Sequence, residues 1–76
     1  MPAPIEIPLE GGRDHVELNQ LLKLAGLCDS GGAGKAIVAS GAVFVDGAVE
    51  LRKTCKIRAG QTVELDGHIV RVVAGD

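Results

Sequence analysis

Four of the eight lysines and arginines in this 76-residue chain lie within seven positions, although the net charge of the chain is −2. These residues are Arg52, Lys53, Lys56 and Arg58. A fixed cluster of cations beside a helix is what binding of a phosphate backbone requires. If residues 49–58 are extended, all of these cations except Lys53 point to the same side. A solvated sheet edge whose charges prevent aggregation would have the same composition, so the cluster alone leaves both interpretations open.

Charge is unevenly distributed along the chain. Residues 21–58 carry a net charge of +3, whereas residues 1–20 carry −3 and residues 59–76 carry −2. This balance argues against strong non-specific affinity for nucleic acid, but it allows a local cationic site. The acidic ends are equally compatible with a surface that meets another protein.

The run Gly31-Gly32-Ala33-Gly34-Lys35 is only superficially similar to a nucleotide-binding phosphate loop. The full pattern needs a glycine where Asp29 stands, Ser or Thr where Ala36 stands, and a preceding strand. We therefore exclude nucleotide hydrolysis. A helix that begins here would still offer free N–H groups to an anion, with Lys35 adding a mobile charge in the next turn. Close packing of the small residues against another helix explains the glycines equally well.

The cysteines and histidines predict neither catalysis nor metal binding. Cys28 and Cys55 lack the CxxC spacing, and His15 and His68 belong to no metal-ligand pattern. We expect two free thiols in a reducing cytosol, with no metal and no cofactor. The neighbouring Lys56 would lower the pKa of the Cys55 thiol, but no general base is indicated. A nucleophilic enzyme based on Cys55 is therefore the weakest of the functional alternatives.

Two short helices are predicted before a series of strands. Asp14 is expected to cap the first helix, with Glu17 completing a capping-box pair. The apolar stripe of this helix follows helical spacing and consists of Leu18, Leu21, Leu22 and Ala25. Gly26 then suits a left-handed ending in which Leu27 folds back on Leu22. Ser30 is expected to cap the second helix, which Gly41 ends.

The second half of the chain reads as short antiparallel strands. Asp46-Gly47 and Asp66-Gly67 each lie between apolar-rich runs, which is a strong hairpin signal. The fold class is therefore α+β, with two packed helices followed by a small antiparallel sheet of hairpins. Residues 1–12 are expected to form an arm or an edge strand, and residues 13–76 one small domain.

Composition limits the core and the location of the protein. Phe44 is the one aromatic residue, so the core is expected to be aliphatic, with little room for an enclosed active site. No run approaches the ~20 apolar residues of a membrane span, and the N-terminus lacks the pattern of a secretion signal. We expect a cytoplasmic protein without a membrane partner.

The ordered set of motifs resembles the small RNA-binding domain first seen in ribosomal small-subunit protein four. The apolar first helix ends in glycine, and a Ser-led second helix follows. Gly41-Ala42-Val43-Phe44-Val45-Asp46-Gly47 is similar to the family pattern Gly-x-Val-x-Val-Asn/Asp-Gly, and Ile57 to Val63 contains the later glycine turn. The likeness is tighter to a stand-alone bacterial subgroup, the YbcJ type. That subgroup shares His-Val-Glu-Leu, Asp-Gly-Ala-Val-Glu and Arg-Lys-x-Cys-Lys-Ile, which begin here at His15, Asp46 and Arg52.

The resemblance implies an αL RNA-binding motif and a non-catalytic protein that binds structured RNA, such as rRNA or tRNA. The general family places arginines at the start of the second helix, where glycines stand here. Phosphate contacts would therefore depend on five cations, with Lys23 as a further candidate. The five are Lys35, Arg52, Lys53, Lys56 and Arg58.

The lack of aromatic residues argues against base stacking on single strands, so we expect recognition of RNA shape. The main alternative is a protein-interaction module that docks on a ribosome-associated or RNA-modifying factor. A monomer is expected in either case.

Overall fold

Two helices and seven short strands make up residues 3–75, which the computed structural model describes. The helices are α1 (Leu18–Leu24) and α2 (Gly31–Ala39). The strands are β1 (Ile5–Pro8), β2 (Val16–Glu17), β3 (Phe44–Val45), β4 (Ala48–Val49), β5 (Lys56–Ile57), β6 (Thr62–Leu65) and β7 (His68–Val73). The predicted α+β class with two packed helices is confirmed.

Five of the strands form one sheet in the order β1-β7-β6-β3-β4. The β3–β4, β3–β6 and β6–β7 pairs are antiparallel, as a sheet of hairpins requires. The sheet is nevertheless mixed, because β1 pairs with β7 in parallel, with Ile5 opposite Val70. Residues 5–8 thus occupy a sheet edge. The division into 1–12 and 13–76 stays a prediction, and its ends (1, 2 and 76) lie outside the described residues.

Both Asp-Gly pairs form the tight turns that the sequence predicts. Asp46 and Gly47 have φ angles of 51° and 86°, and Asp66 and Gly67 have 51° and 80°. Two consecutive positive φ values define the type I′ turn, whose twist matches that of the flanking strands. Each turn therefore sets the register of its hairpin.

The start of α1 differs from the prediction. Val16 and Glu17 pair with β5, which keeps the backbone of Glu17 extended, with a ψ of 141°. Helix α1 consequently begins at Leu18, and Glu17 occupies the N-cap position without a side-chain capping bond. The capping box of Asp14 and Glu17 is therefore wrong. Strand pairing with a distant segment takes precedence over a local capping signal.

The other predicted helix ends are confirmed. Gly26 has a φ of 77°, and the amide of Leu27 donates to the carbonyl of Leu22 at 3.0 Å. This is the Schellman ending, in which orphan carbonyls of the last turn gain partners. At the start of α2, the Ser30 hydroxyl accepts from the amide of Ala33 at 3.1 Å.

The helices approach each other closely where α2 begins. A Cβ atom on Gly34 would lie 2.6 Å from the carbonyl oxygen of Asn19 in α1, so only glycine fits there. Below the helices, the core is aliphatic, as predicted. The fully buried apolar residues come from both helices and the sheets: Leu18, Leu21, Leu22, Val38, Val43, Ile57, Val63, Val70 and Val72. Phe44 stays 41% exposed and outside this core.

Candidate nucleic-acid interface

The stretch that contains the cation cluster, here called the basic segment (residues 52–58), lies beside the start of α1. The Asn19 amide donates to the Lys53 carbonyl at 3.1 Å, and the Leu18 amide donates to the Cys55 carbonyl at 2.9 Å. Lys56 and Ile57 then pair with Glu17 and Val16 as β5. These backbone bonds, together with the buried Ile57 side chain, fix the path of the segment.

The basic segment is not extended throughout. A turn occupies residues 53 and 54, and strand geometry is limited to residues 56–57. The alternating arrangement predicted for an extended run therefore does not apply across the whole segment. The side chains of Arg52, Lys53, Lys56 and Arg58 are all exposed.

Asn19 is contacted by both elements that hold predicted site residues. Its backbone amide bonds to Lys53 of the basic segment, and its backbone also lies against Gly34 of α2. Its side-chain amide donates to the Gly31 carbonyl at 3.4 Å. Lys35 follows Gly34 directly and is exposed. The first turn of α2 and the Lys53 turn thus meet the same residue of α1.

Arg52 is held by an acidic residue that the sequence interpretation did not include. Its Nε and Nη2 atoms donate to the two carboxylate oxygens of Glu50 at 2.9 and 3.1 Å, and its amide adds a third bond at 3.0 Å. These hydrogen bonds from Arg52 lower the pKa of the Glu50 carboxyl from 4.5 to about 2. Glu50 therefore fixes Arg52 in one orientation and neutralises part of its charge.

Two other cations of the basic segment, Arg58 and Lys56, face acidic residues, and of these two only Arg58 forms an ion pair within the described residues. Arg58 Nη1 is 3.3 Å from Asp14 Oδ2, and Lys56 is directly opposite Glu17 in the strand pair. The hydrogen bond from His15, followed by the charge of Arg58, holds the pKa of Asp14 below its usual value. Asp14 is thus an ion-pair partner and not a helix cap.

The four lysines have no ion pair in the described part of the chain and are more available to an external anion than Arg52 and Arg58. Within residues 3–75, Lys23, Lys35, Lys53 and Lys56 have no carboxylate oxygen within 4.0 Å of their ammonium nitrogens. All four side chains are exposed. Lys35 and Lys53 adjoin the contact at Asn19, whereas Lys56 is opposite Glu17 in the β2–β5 pair and Lys23 lies in the last turn of α1. Lys35 and Lys53 are therefore the unpaired cations at the junction.

Cys55 is adjacent to the Glu50–Arg52 pair. Its Sγ lies 3.6 Å from Glu50 Oε1 and 3.7 Å from Arg52 Nη2. Burial, and then the negative charge of Glu50, raise the pKa of the Cys55 thiol, while Arg52 lowers it by less. The predicted activation of this thiol by a neighbouring cation is therefore wrong. A thiol in this environment stays protonated near neutral pH.

Sequence interpretation missed Glu50 and Asn19. Glu50 stands two positions before Arg52, and this spacing in a loop was a usable signal for the ion pair. Asn19 is a polar residue with 2% exposure beside the apolar stripe of α1. Its Oδ1 has no hydrogen-bond partner in the described part of the chain. The pairing of Arg58 with Asp14 joins positions far apart in sequence, so no local pattern predicts it.

No group of three or more His, Cys, Asp or Glu side chains among residues 3–75 is arranged to hold a metal ion. Neither described helix has the length and apolar character needed to cross a membrane.

The chain is similar to bacterial proteins of known sequence and structure. Residues 7–73 match the family described as the S4 domain. The "Putative RNA-binding protein YbcJ" of Escherichia coli K12 is 59% identical over 64 residues, covering 84% of this chain and 91% of the relative. The "Uncharacterized protein YbcJ" of Shigella flexneri matches to the same extent.

A solved structure extends the comparison to the fold. The solution structure of YbcJ from E. coli, described as revealing an αL motif involved in RNA-binding, has a TM-score of 0.73 and 54% sequence identity. The match covers 97% of this chain and 92% of that protein. With the family match across both helices and the main sheet, these findings show that the chain belongs to the S4 domain family.

Proposed function

We propose that this protein binds structured RNA, such as rRNA or tRNA, and catalyses no reaction. The binding surface is the face built from the start of α2 and the basic segment, with Lys35, Arg52, Lys53, Lys56 and Arg58 as its cations. The description of the E. coli relative as an RNA-binding protein supports this function for the chain. The cytoplasm is the compartment in which it would act.

The junction at Asn19 is the observation that carries the proposal. Backbone atoms of Lys53 and of Gly34 both lie against Asn19, so Lys35 and Lys53 start from neighbouring points of a rigid scaffold. Cations that are positioned before binding lose less conformational freedom when they meet phosphates. Two lysines on separate flexible loops would pay a larger entropic cost for the same contacts.

The arginines are suited to a supporting role. Glu50 occupies Nε and Nη2 of Arg52, which leaves Nη1 to donate to a phosphate. Arg58 shares its charge with Asp14 across an exposed contact of 3.3 Å, and such contacts are weak enough to exchange for an RNA phosphate. Lys35 and Lys53 should therefore contribute more to binding than the two arginines.

Recognition of shape fits this surface better than recognition of base sequence. Neither α2 nor the basic segment contains an aromatic side chain on which bases could stack. Phosphate and ribose contacts across the minor groove of an RNA helix need only cations and backbone donors in fixed positions. We therefore expect similar affinity for RNA helices of different sequence.

The test is titration of tRNA and rRNA fragments at several salt concentrations. If four of the cations meet phosphates, the log of affinity falls with the log of salt with a slope of about −3 to −4. The Lys35→Gln/Lys53→Gln double variant should reduce the magnitude of that slope by about 2. Arg71→Gln is the matched control, because Arg71 is an exposed cation in β7 whose 4.0 Å ion pair is with Glu6.

Two results would contradict the proposal. Binding that does not respond to salt would exclude phosphate contacts as the main interaction. A loss per removed charge that is equal in Arg71→Gln and in the double lysine variant would mean that net charge, and not this surface, determines affinity.

A further inference from the structure

A groove runs along α1 and borders the basic segment, because its lining includes Asp14 and Glu17, which face Arg58 and Lys56. It consists of two adjoining depressions of about 520 and 570 Å³, which share Arg13, Val16 and Leu24 in their linings. One depression extends toward β1 and the turn that follows it, and the other toward Gln20 of α1. Depressions of this size are typical of sites that enclose a ligand or an anchoring side chain.

The floor of the groove is apolar in the depression that extends toward β1. Leu24 is 60% exposed, which makes it the most exposed of the large apolar side chains in residues 3–75. Ile7 and Pro8 of β1 and the following Leu9 line this depression together with Leu24. An apolar anchor from another molecule would remove Leu24 from water.

The rim of the groove is acidic. Glu10, Asp14 and Glu17 line it, against the single cation Arg13. Glu10 has no ion pair within residues 3–75, and the guanidinium of Arg58 accounts for only part of the charge of Asp14. Carboxylates around an apolar floor repel phosphates and attract lysine and arginine. Nucleic acid is therefore a poor occupant of this groove, and a cationic protein segment is a good one.

We propose that this groove docks a segment of a partner protein in which an apolar side chain is flanked by lysines or arginines. The apolar anchor packs on Leu24 and Val16, and the flanking cations meet Glu10 and Glu17. This arrangement of a buried apolar anchor within a charged rim is the usual anatomy of a protein interface. The docking proposal does not depend on RNA binding by the basic segment, which contains strand β5.

The probe is an eight-residue synthetic peptide with two leucines and four lysines, added to the ¹⁵N-labelled protein. Backbone amide signals of Leu9, Val16 and Leu24 should shift at peptide concentrations up to about 1 mM, the range expected for a short segment. A peptide with glutamates replacing the lysines should not shift them, because it would meet the acidic rim. A peptide with serines replacing the leucines should bind at least about tenfold more weakly.

The chain offers a matched pair of variants. Leu24→Ser should weaken the lysine–leucine peptide about tenfold, whereas Leu51→Ser should not, although Leu51 is 58% exposed and thus equally accessible. Glu10→Lys tests the rim separately and should also weaken the peptide, since it replaces a favourable charge with a repelling one. Thermal unfolding of each variant checks that the fold is retained. If Leu24→Ser does not fold, peptide binding by Glu10→Lys tests the proposal instead.

RNA titration separates this proposal from the one above. Leu24→Ser should bind RNA as the unmodified protein does, because the groove contributes no phosphate contact. Loss of RNA binding in Leu24→Ser would assign the groove to RNA and overturn the docking proposal. The proposal also fails if no peptide shifts the groove signals, if the glutamate peptide binds equally well, or if Leu51→Ser weakens binding as much as Leu24→Ser.

Discussion

Glu50 determines the chemistry of two neighbouring side chains. It accepts three hydrogen bonds from Arg52 and lies 3.6 Å from the Cys55 thiol. An arginine read from the sequence as a free phosphate ligand is therefore partly engaged within the protein. Burial, and after it the charge of the same carboxylate, raises the pKa of the Cys55 thiol, so the thiol is a poor nucleophile near neutral pH.

The depressed pKa of Glu50 predicts a pH dependence of folding stability. Because the pKa falls from 4.5 to about 2 on folding, the carboxylate stabilises the protein above about pH 4.5. That contribution is lost as the pH falls from 4.5 to about 2. The Glu50→Gln variant should show a smaller decrease in Tm across this window, measured by circular dichroism. Glu64→Gln, an exposed residue of β6 without an ion pair in residues 3–75, should leave the decrease unchanged.

The raised pKa of Cys55 predicts slow alkylation. In a Cys28→Ser background, iodoacetamide should modify Cys55 more slowly at pH 7.5 than it modifies an unhindered cysteine peptide, because little thiolate is present. Adding Glu50→Gln removes a negative charge near Sγ and should increase the rate. Fast modification of Cys55 at neutral pH would contradict this prediction and revive a nucleophilic role.

Of the three glycines that begin α2, only Gly34 lies against the backbone of α1, whereas a Cβ on Gly31 would meet the movable end of the Gln20 side chain at 2.7 Å. Gly34→Ala would place a Cβ 2.6 Å from the Asn19 carbonyl oxygen, so the helices must separate, at a cost of about 1–3 kcal/mol in unfolding free energy. Gly32→Ala meets only the Ser30 hydroxyl at 3.9 Å, so its better helix propensity should stabilise by up to about 1 kcal/mol. Urea denaturation of both variants tests the contrast. Equal effects would mean that the helix contact is not close.

Elements with local signals could be predicted from sequence, and elements that depend on distant partners could not. Ser30, Gly26 and the two Asp-Gly turns act through bonds to residues a few positions away, and all four were placed correctly. Strand β2 forms because Val16 meets Ile57, and this pairing moved the start of α1 away from Asp14. The parallel pairing of β1 with β7 could not be predicted either, because the alternation of apolar and polar residues indicates a strand but not the strand with which it pairs.

The candidate site also combines features that have a local sequence signal with features that depend on distant residues. Composition and family resemblance selected the cations, because charge clustering is visible in sequence. The carboxylates that hold them were missed where they act at long range, as Asp14 does on Arg58. Burial of Asn19 at the helix junction depends on how α1, α2 and the basic segment pack together, and no pattern of residue types encodes that packing directly.

Acidic and basic side chains border each other along the β2–β5 pair. Glu17 and Asp14 on one segment face Lys56 and Arg58 on the other. A molecule with net charge −2 can bind RNA if its cations form a local cluster from which most carboxylates are separated. The same separation would let a cationic protein segment and an RNA helix bind side by side.

This arrangement predicts that Asp14 restrains RNA binding. Asp14→Asn would release Arg58 from its 3.3 Å ion pair and remove a negative charge beside the basic segment. RNA affinity at low salt should rise by up to about fivefold, the range expected for one exposed pair, and the magnitude of the salt slope by about 1.

Glu6→Gln is the matched control, because it also removes one exposed negative charge and frees one arginine, Arg71, but in the β1–β7 pair. If net charge alone determined affinity, the two variants would bind RNA equally well. If Arg58 contacts phosphate, Asp14→Asn should gain affinity and additional Arg58→Gln should abolish the gain, whereas Glu6→Gln should remain close to the unmodified protein. A gain that survives Arg58→Gln would mean that removing the repulsion of Asp14, and not recruiting the arginine, strengthens binding.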